Sequence, residues 1–315
     1  MHNVTHRSVR LRSARAQGSL RCSLETLTRI QDHTLPKGNL LDVARAAALL
    51  AAKNTSRLIP QSHTINIGYA DVQFELVPEN ESASGPGVSC RVLVESIDRT
   101  GPEMAALTAV NVALLTIYDL LKPIDKKLSI TGIRLIERTG GDPAPRPGER
   151  CVVLVVSDAV ESGEKSDRAG PLVAAMVQEA GVAVMQHRVL PAQKARLGEE
   201  LEAALTRGVH FAFVVGGSGL ASHEITPDMV RDLCDRDVPG VRDAMLAHGR
   251  ERTSLAMLSR LYAGVYGGSL LVVTLPGSSR GARESLEAVL PGLFQARRMM
   301  TKKGARAGGS RAESP

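Results

Sequence analysis

The second half of the chain concentrates its hydrophobic residues in short unbroken runs at 151–156, 211–215 and 270–275. Each ends in a turn: Ser157-Asp158, Gly216-Gly217-Ser218-Gly219 and Pro276-Gly277. Runs rich in Val and Leu with no polar alternation suit strands buried on both faces, and so predict a parallel sheet. A further strand is expected over 182–190, with helices over 170–180, 194–206, 227–235, 240–251 and 281–289. Thr226 is placed to cap the 227–235 helix, with Pro227 at its first position. The alternation makes this half a doubly wound, Rossmann-like three-layer α/β domain, whose strand ends line a ligand crevice. Glycine directly after a strand lets backbone amides approach and cradle a phosphate.

The first half has a different rhythm. An Ala/Leu-rich helix is expected over 40–53, alternating antiparallel strands over 64–76 and 88–97 around a loop at 79–87, a long helix over 102–121, and a strand over 130–136. With room for one more strand ahead of them, these elements predict an α+β domain of ferredoxin-like kind. Between the halves, residues 140–149 hold three Pro and three Gly without apolar periodicity, which reads as a semi-rigid linker. The expected organisation is a first domain over 1–141, a linker over 142–150, a second domain over 151–300, and a disordered basic tail over 301–315.

Composition narrows the function. The chain has no Trp and only 3% aromatics, which predicts aliphatic cores and argues against stacking-based binding of single-stranded nucleic acid. The net charge of +6 is concentrated at the two ends, and the first 22 residues hold five Arg and no acid. The body between them is mildly acidic, so a basic face for duplex nucleic acid is not indicated. That Arg-rich start has the composition of a transit peptide, but the resemblance described below begins within it. Four scattered cysteines without metal spacing read as reduced thiols of a cytoplasmic protein. No apolar stretch approaches 18 residues without charge or turn residues, so no transmembrane helix is expected.

Several residues carry candidate chemistry. The Gly216-Gly217-Ser218-Gly219 loop lacks the Lys of a P-loop and the dinucleotide spacing, so by itself it is a phosphate site or simply a tight turn. Asp158, Asp167, Glu224 and Asp228 gather near the strand ends, where carboxylates could hold Mg2+ through water; helix capping and solvated loop charge are the alternatives. In the first half, Asp119 and Lys122 lie three apart at the end of a helix, while Lys37 and His63 sit in loops. Lys and His converging near a carboxylate would suit acid–base work on a polyphosphate, whereas spacing alone also fits an exposed ion pair and a loop His.

Residues 4–141 resemble the cyclic pyranopterin monophosphate synthase (MoaC) family. The likeness rests on Lys37-Gly38, Ala51-Ala52-Lys53, Leu58-Ile59-Pro60, Thr100-Gly101, Glu103-Met104, Leu115-Thr116-Ile117-Tyr118-Asp119, Lys122 and Gly140-Gly141. The resemblance implies conversion of a cyclised dihydro-GTP into cyclic pyranopterin monophosphate with release of pyrophosphate, and assembly as hexamers built from dimers. It further implies catalytic roles for Lys37, His63, Asp119 and Lys122, and substrate contacts by Arg12, Glu103 and Met104. Residues 151–299 resemble the MogA/MoaB family of molybdopterin-binding and adenylyltransferase domains, usually trimers. That likeness rests on Val156-Ser157-Asp158, Asp167-Arg168, the 216–219 loop, Thr226-Pro227-Asp228, Ala256-Met257-Leu258-Ser259-Arg260 and Leu275-Pro276-Gly277-Ser278. It implies molybdopterin binding through Gly216, Gly217, Ser218, Gly219, Ser259, Pro276 and Gly277. Glu224 and Asp228 would place Mg2+ with ATP, and no prosthetic group is implied.

The chain also departs from both patterns. It reads Lys37-Gly38-Asn39 for the family's Lys-Gly-Asp, Gln61-Ser62-His63-Thr64 for Leu-Cys-His-Pro, and Ala105 for the second Glu of Glu-Met-Glu. In the second half Ala192 stands for an aspartate linked to adenylylation, and Glu224 for an aspartate. The expectation is therefore a cytoplasmic, homo-oligomeric bifunctional enzyme of molybdenum cofactor synthesis. The alternative is that one or both domains bind pterin as a scaffold or carrier.

Overall fold

The structure, a computed structural model, describes residues 1–35, 39–78, 85–141 and 143–301. The chain divides into two compact units, 1–141 and 142–315.

The first unit runs β1 (Arg10–Arg21), α1 (Leu24–Gln31), α2 (Leu40–Lys53), α3 (Thr55–Leu58), β2 (Ile67–Val77), β3 (Gly87–Asp98), α4 (Glu103–Leu121) and β4 (Ser129–Thr139). Its strands form one antiparallel sheet in the order β2-β3-β1-β4. On β1 the alternate residues Ala14, Ala16 and Leu20 are buried while Arg15 and Arg21 face out, so one face of the sheet carries the core. Ala106, Ala109, Val110, Ala113, Leu114 and Ile117 of α4 are buried in that core. Gly18 is what lets α4 close on the sheet, because a Cβ there would stand 2.8 Å from Leu114 and 2.9 Å from Val110.

Among the described residues the 19 residues of α4 are long and apolar enough to cross a membrane by length and composition, although Glu103 and Asp119 break the apolar run. Here the apolar character serves packing in the core. The sequence reading also missed α1, an eight-residue helix whose N-cap is Ser23. Its start is held by Asp125, buried in the turn after α4, which accepts hydrogen bonds from the Ser23 amide at 2.7 Å and the Lys127 amide at 2.8 Å. Burial works to raise the Asp125 pKa, but these bonds prevail and hold it below the usual carboxylate range.

The second unit comprises β5 (Arg150–Val156), α5 (Asp158–Glu161), α6 (Ala169–Glu179), β6 (Ala183–Leu190), α7 (Lys194–Thr206) and β7 (Phe211–Val215). It continues with α8 (Thr226–Leu233), β8 (Arg236–Asp237), α9 (Pro239–Arg250), β9 (Ala263–Tyr266), β10 (Leu270–Leu275) and α10 (Ser279–Thr301). The sheet order is β6-β5-β7-β10-β9-β8. Strands β6, β5, β7 and β10 are parallel, and β5, β7 and β10 are buried throughout except at Arg150, as their unbroken apolar runs require.

The wholly parallel sheet is corrected at one edge, where β9 runs antiparallel to β10 and β8 antiparallel to β9. Gly267 and Gly268, both at positive φ, turn β9 back into β10. Two further details differ from expectation. Thr226 is the first residue of α8 rather than its cap, since Ile225 occupies that place and makes no side-chain cap bond. The helix expected over 281–289 runs to Thr301 through Pro291, because Ala282, Leu286, Leu290, Leu293 and Phe294 continue one buried face past the proline. The four cysteines are free, and burial pushes the Cys22 thiol up to about 11 and the Cys90 and Cys151 thiols up to about 12. Residues 302–315, most of the expected tail, and most of the 79–87 loop lie outside the described residues.

Candidate functional site

In the first unit, the turn after α3 and the first turn of α4 enclose a cavity of about 150 Å3. It is lined by Lys53, Ser56, His63, Gly101, Glu103 and Met104, among others. Glu103 opens α4, where a carboxylate complements the positive end of the helix. Its side chain lies over Gly101, where a Cβ would come within 2.2 Å of Oε2, and Arg138 stands 3.7 Å away. His63 donates from Nε2 to the carbonyl of His2 at 2.8 Å, which fixes the proton on that nitrogen.

The other expected catalytic groups lie elsewhere. Asp119 and Lys122 form an exposed ion pair at 2.5 Å at the far end of α4. The Asp119 hydrogen bond raises the Lys122 pKa, so this amine is a persistent cation rather than a ready base. Helix rise puts Glu103 and Asp119 ~24 Å apart along the axis. A single chain thus brings His63, Glu103 and Met104 together but not Asp119 and Lys122. Lys37 lies outside the described residues. Arg12, expected to touch substrate, is buried, and its guanidinium donates to the carbonyls of Asp98 at 3.0 Å and Gly140 at 2.9 Å. In this position it ties the ends of the sheet together.

In the second unit the glycine loop is set by backbone contacts that no larger residue would permit. Gly216 has φ 103° and a Cβ there would come within 2.6 Å of the Val156 carbonyl; Gly217 has φ 58° and faces the Thr226 hydroxyl. The Gly216 amide donates to the Leu275 carbonyl at 3.0 Å. The position of a Cβ on Gly277 lies 3.3 Å from the Gly216 α-carbon, so the two predicted turns touch.

Two cavities flank this junction. One, of about 540 Å3, is lined by Asp158, Ala192, Gly217, His223, Glu224 and Thr226, among others. The other, of about 240 Å3, is lined by Met245, Leu255, Ser259, Leu261, Pro276 and Ser278, among others. The first is rich in carboxylates and the second mostly apolar with hydroxyls at its edge. A charged phosphate chain and a flat heterocycle would sort between them in that way.

The four acids gathered by the sequence separate in three dimensions. Asp158 and Glu224 share the larger cavity, and Asp158 accepts from the Ala192 amide at 2.8 Å. Glu224 accepts from the Ala221 amide at 3.3 Å, and its side chain covers Gly219, where a Cβ would lie 2.0 Å from Oε2. Asp167 pairs with His187 at 2.8 Å and accepts from the Gly170 amide at 2.8 Å. Asp228, expected to hold metal, is engaged by Arg260 and by Arg231 at 3.2 Å. Among the described residues no group of three or more His, Cys, Asp or Glu could hold a metal ion.

Arg260 is the residue that sequence reasoning passed over. Its amide donates to the Ser218 carbonyl at 2.8 Å, and its guanidinium to the Glu224 carbonyl at 3.1 Å and to Asp228. One residue thus fastens both ends of the loop, through its backbone amide at Ser218 and its side chain at Glu224. Its place in the Ala256–Arg260 match was the available signal, but no spacing rule links it to residues more than 30 positions away.

Comparison with known proteins agrees with this division. Residues 1–141 match the MoaC family, and residues 152–295 match the family described as "Probable molybdopterin binding domain". A molybdenum cofactor biosynthesis bifunctional protein of Chlorobaculum tepidum is 36% identical over 305 residues, covering 96% of this chain and 95% of that one. A cyclic pyranopterin monophosphate synthase of Thermoanaerobacter pseudethanolicus is 43% identical over 141 residues, 45% of this chain and 86% of that one. Among solved structures, a molybdopterin biosynthesis protein from Mycobacterium abscessus aligns over 49% of this chain and 98% of its own, with 29% identity and a TM-score of 0.47. The likeness to the Chlorobaculum protein runs through both units, and the chain belongs to the bifunctional molybdenum cofactor biosynthesis proteins, with a MoaC-family domain followed by a molybdopterin-binding domain.

Proposed function

We propose that the first unit converts cyclised dihydro-GTP into cyclic pyranopterin monophosphate and pyrophosphate, and that the second binds molybdopterin and adenylylates it with ATP, both in the cytoplasm. The β-α-β-β-α-β order and the β2-β3-β1-β4 sheet of the first unit support the ferredoxin-like reading. Its site is assembled between copies of the chain. His63, Glu103 and Met104 come from one copy, Asp119 and Lys122 from another, because α4 holds the two groups at opposite ends. Lys122 as a permanent cation would bind polyphosphate, with Asp119 orienting it. His63 holds a proton on Nε2 and is a donor to a phosphate or to the rearranging ring. Lys37 would supply the second amine.

In the second unit the pterin would enter the apolar cavity beside Ser259 and Pro276, with its phosphate directed to the glycine loop. That phosphate oxygen would attack the α-phosphorus of ATP, forming one P–O bond as the bond to the departing pyrophosphate breaks. Mg2+ arriving with ATP would neutralise charge developing on the phosphates. Glu224 and Asp158 fit it better than Asp228, since they face one cavity while Asp228 is taken up by two arginines.

The contact of Gly216 with Gly277 between a carboxylate-lined and an apolar cavity carries this reading. Ala192 favours the carrier alternative, because it presents a methyl group to the same cavity where the resemblance implies an aspartate. The test is mass spectrometry of pterin products after supplying cyclised dihydro-GTP, and separately molybdopterin with MgATP. The proposal expects cyclic pyranopterin monophosphate in the first case and adenylylated molybdopterin in the second. Binding of molybdopterin without the second product would leave the carrier role.

A further inference from the structure

Thr226 is fully buried, at 0% exposure, and its hydroxyl has no hydrogen-bond partner among the described residues. An unsatisfied buried hydroxyl is a standing penalty, and a valine of the same shape would avoid it. The surroundings show what the hydroxyl is for. The Thr226 amide already donates to the Gly217 carbonyl at 3.1 Å. Its Oγ1 stands 2.1 Å from where a Cβ on Gly217 would lie, so it is aimed at the glycine loop and only the lack of a side chain there leaves it room. Thr226 and Gly217 line the same cavity as Asp158 and Glu224. Thr226 also opens the eight-residue α8, whose first turn has no side-chain cap and presents the positive end of the helix dipole.

We propose that the Thr226 hydroxyl is a donor held in reserve for a phosphate oxygen, released to it when an anion entering the cavity displaces the Gly217 backbone. The inference rests on the proposed phosphate-binding role of the glycine loop and adds the side chain that completes it. The anion is either the molybdopterin phosphate or a phosphate of ATP. In either case the bond joins a neutral hydroxyl to a charged oxygen, the stronger class of hydrogen bond.

The test compares the full-length protein with Thr226→Val and Thr226→Ser, using molybdopterin and MgATP as separate probes in calorimetry. Thr226→Val should melt at the same or a higher temperature without ligand, because it removes an unsatisfied group. It should bind one of the two ligands more weakly by at least about tenfold, the loss expected for a hydrogen bond to a charged group. Thr226→Ser should retain the affinity. The ligand whose affinity falls identifies the phosphate. Wild-type affinity for both ligands in Thr226→Val would overturn the inference and leave the glycine-loop reading intact. A lowered melting temperature without ligand would also overturn it, by showing that the hydroxyl supports the free fold. Failure of the wild type to bind either ligand would remove both readings.

Discussion

If the first active site is shared between copies of the chain, two inactive variants should restore each other. His63→Ala removes the donor in the cavity at the start of α4, and Lys122→Ala removes the cation ~28 Å along the helix axis at its end. A group that gives a substrate a proton, or an ammonium that binds its phosphate, must come within ~3 Å of it, so one copy cannot apply both residues to one substrate. Each variant alone should lose about 10²-fold in rate, the usual contribution of an acid–base group for His63 and the upper end of that of a hydrogen bond to a charged group for Lys122. When the two are co-expressed in equal amounts, each site draws His63 from one copy and Lys122 from another. Random pairing then leaves about one quarter of the sites wholly wild type, for any symmetric assembly in which each site is shared by two copies. Formation of cyclic pyranopterin monophosphate should return to about one quarter of the wild-type rate, some 25-fold above either variant. Distinct affinity tags on the two variants establish that mixed oligomers form. Mixed oligomers no more active than the single variants would refute the shared site.

Three further outcomes concern single side chains. Asp125→Ala leaves the amides of Ser23 and Lys127 without their acceptor and should destabilise the first unit by about 1–3 kcal/mol in chemical denaturation. Because the folded Asp125 pKa is lowered, its contribution is present above the unfolded value near 3.9 and lost as pH falls through the folded one, so wild type and variant should converge in strongly acid solution. If Glu224 helps to place Mg2+, Glu224→Gln should slow adenylylation and Ala192→Asp should speed it, both measured with MgATP and molybdopterin; rates unchanged in both variants would count against the metal assignment. Lys37→Ala should keep its circular dichroism spectrum and melting temperature while losing at least ~10²-fold in pterin formation; undiminished turnover would release Lys37 from its role.

Local pattern was enough wherever one physical constraint decided the outcome. Unbroken Val/Leu runs placed β5, β7 and β10 in the buried middle of a sheet, and the Ala-rich periodicity of 40–53 located α2 to the residue. Glycine in the 216–219 loop marked a place where backbone must pass close to backbone. The edge of the second sheet was less legible, because β8 has two residues and β9 four, too few to show a period. The expected last helix ended at 289, and only burial of the face beyond it carried α10 onward through Pro291.

The chemistry divides along the same line. Residue types and their spacing nominated His63, Asp119, Lys122, Glu224 and Asp228 as candidates. Tertiary structure then set the first three at two ends of one helix, gave Asp228 to Arg260, and left Glu224 facing a cavity with Asp158. A sequence specifies which groups are available within a turn or two of chain. Which of them meet depends on long-range packing, because a carboxylate is a metal ligand or half of an ion pair according to what lies within a few ångströms of it.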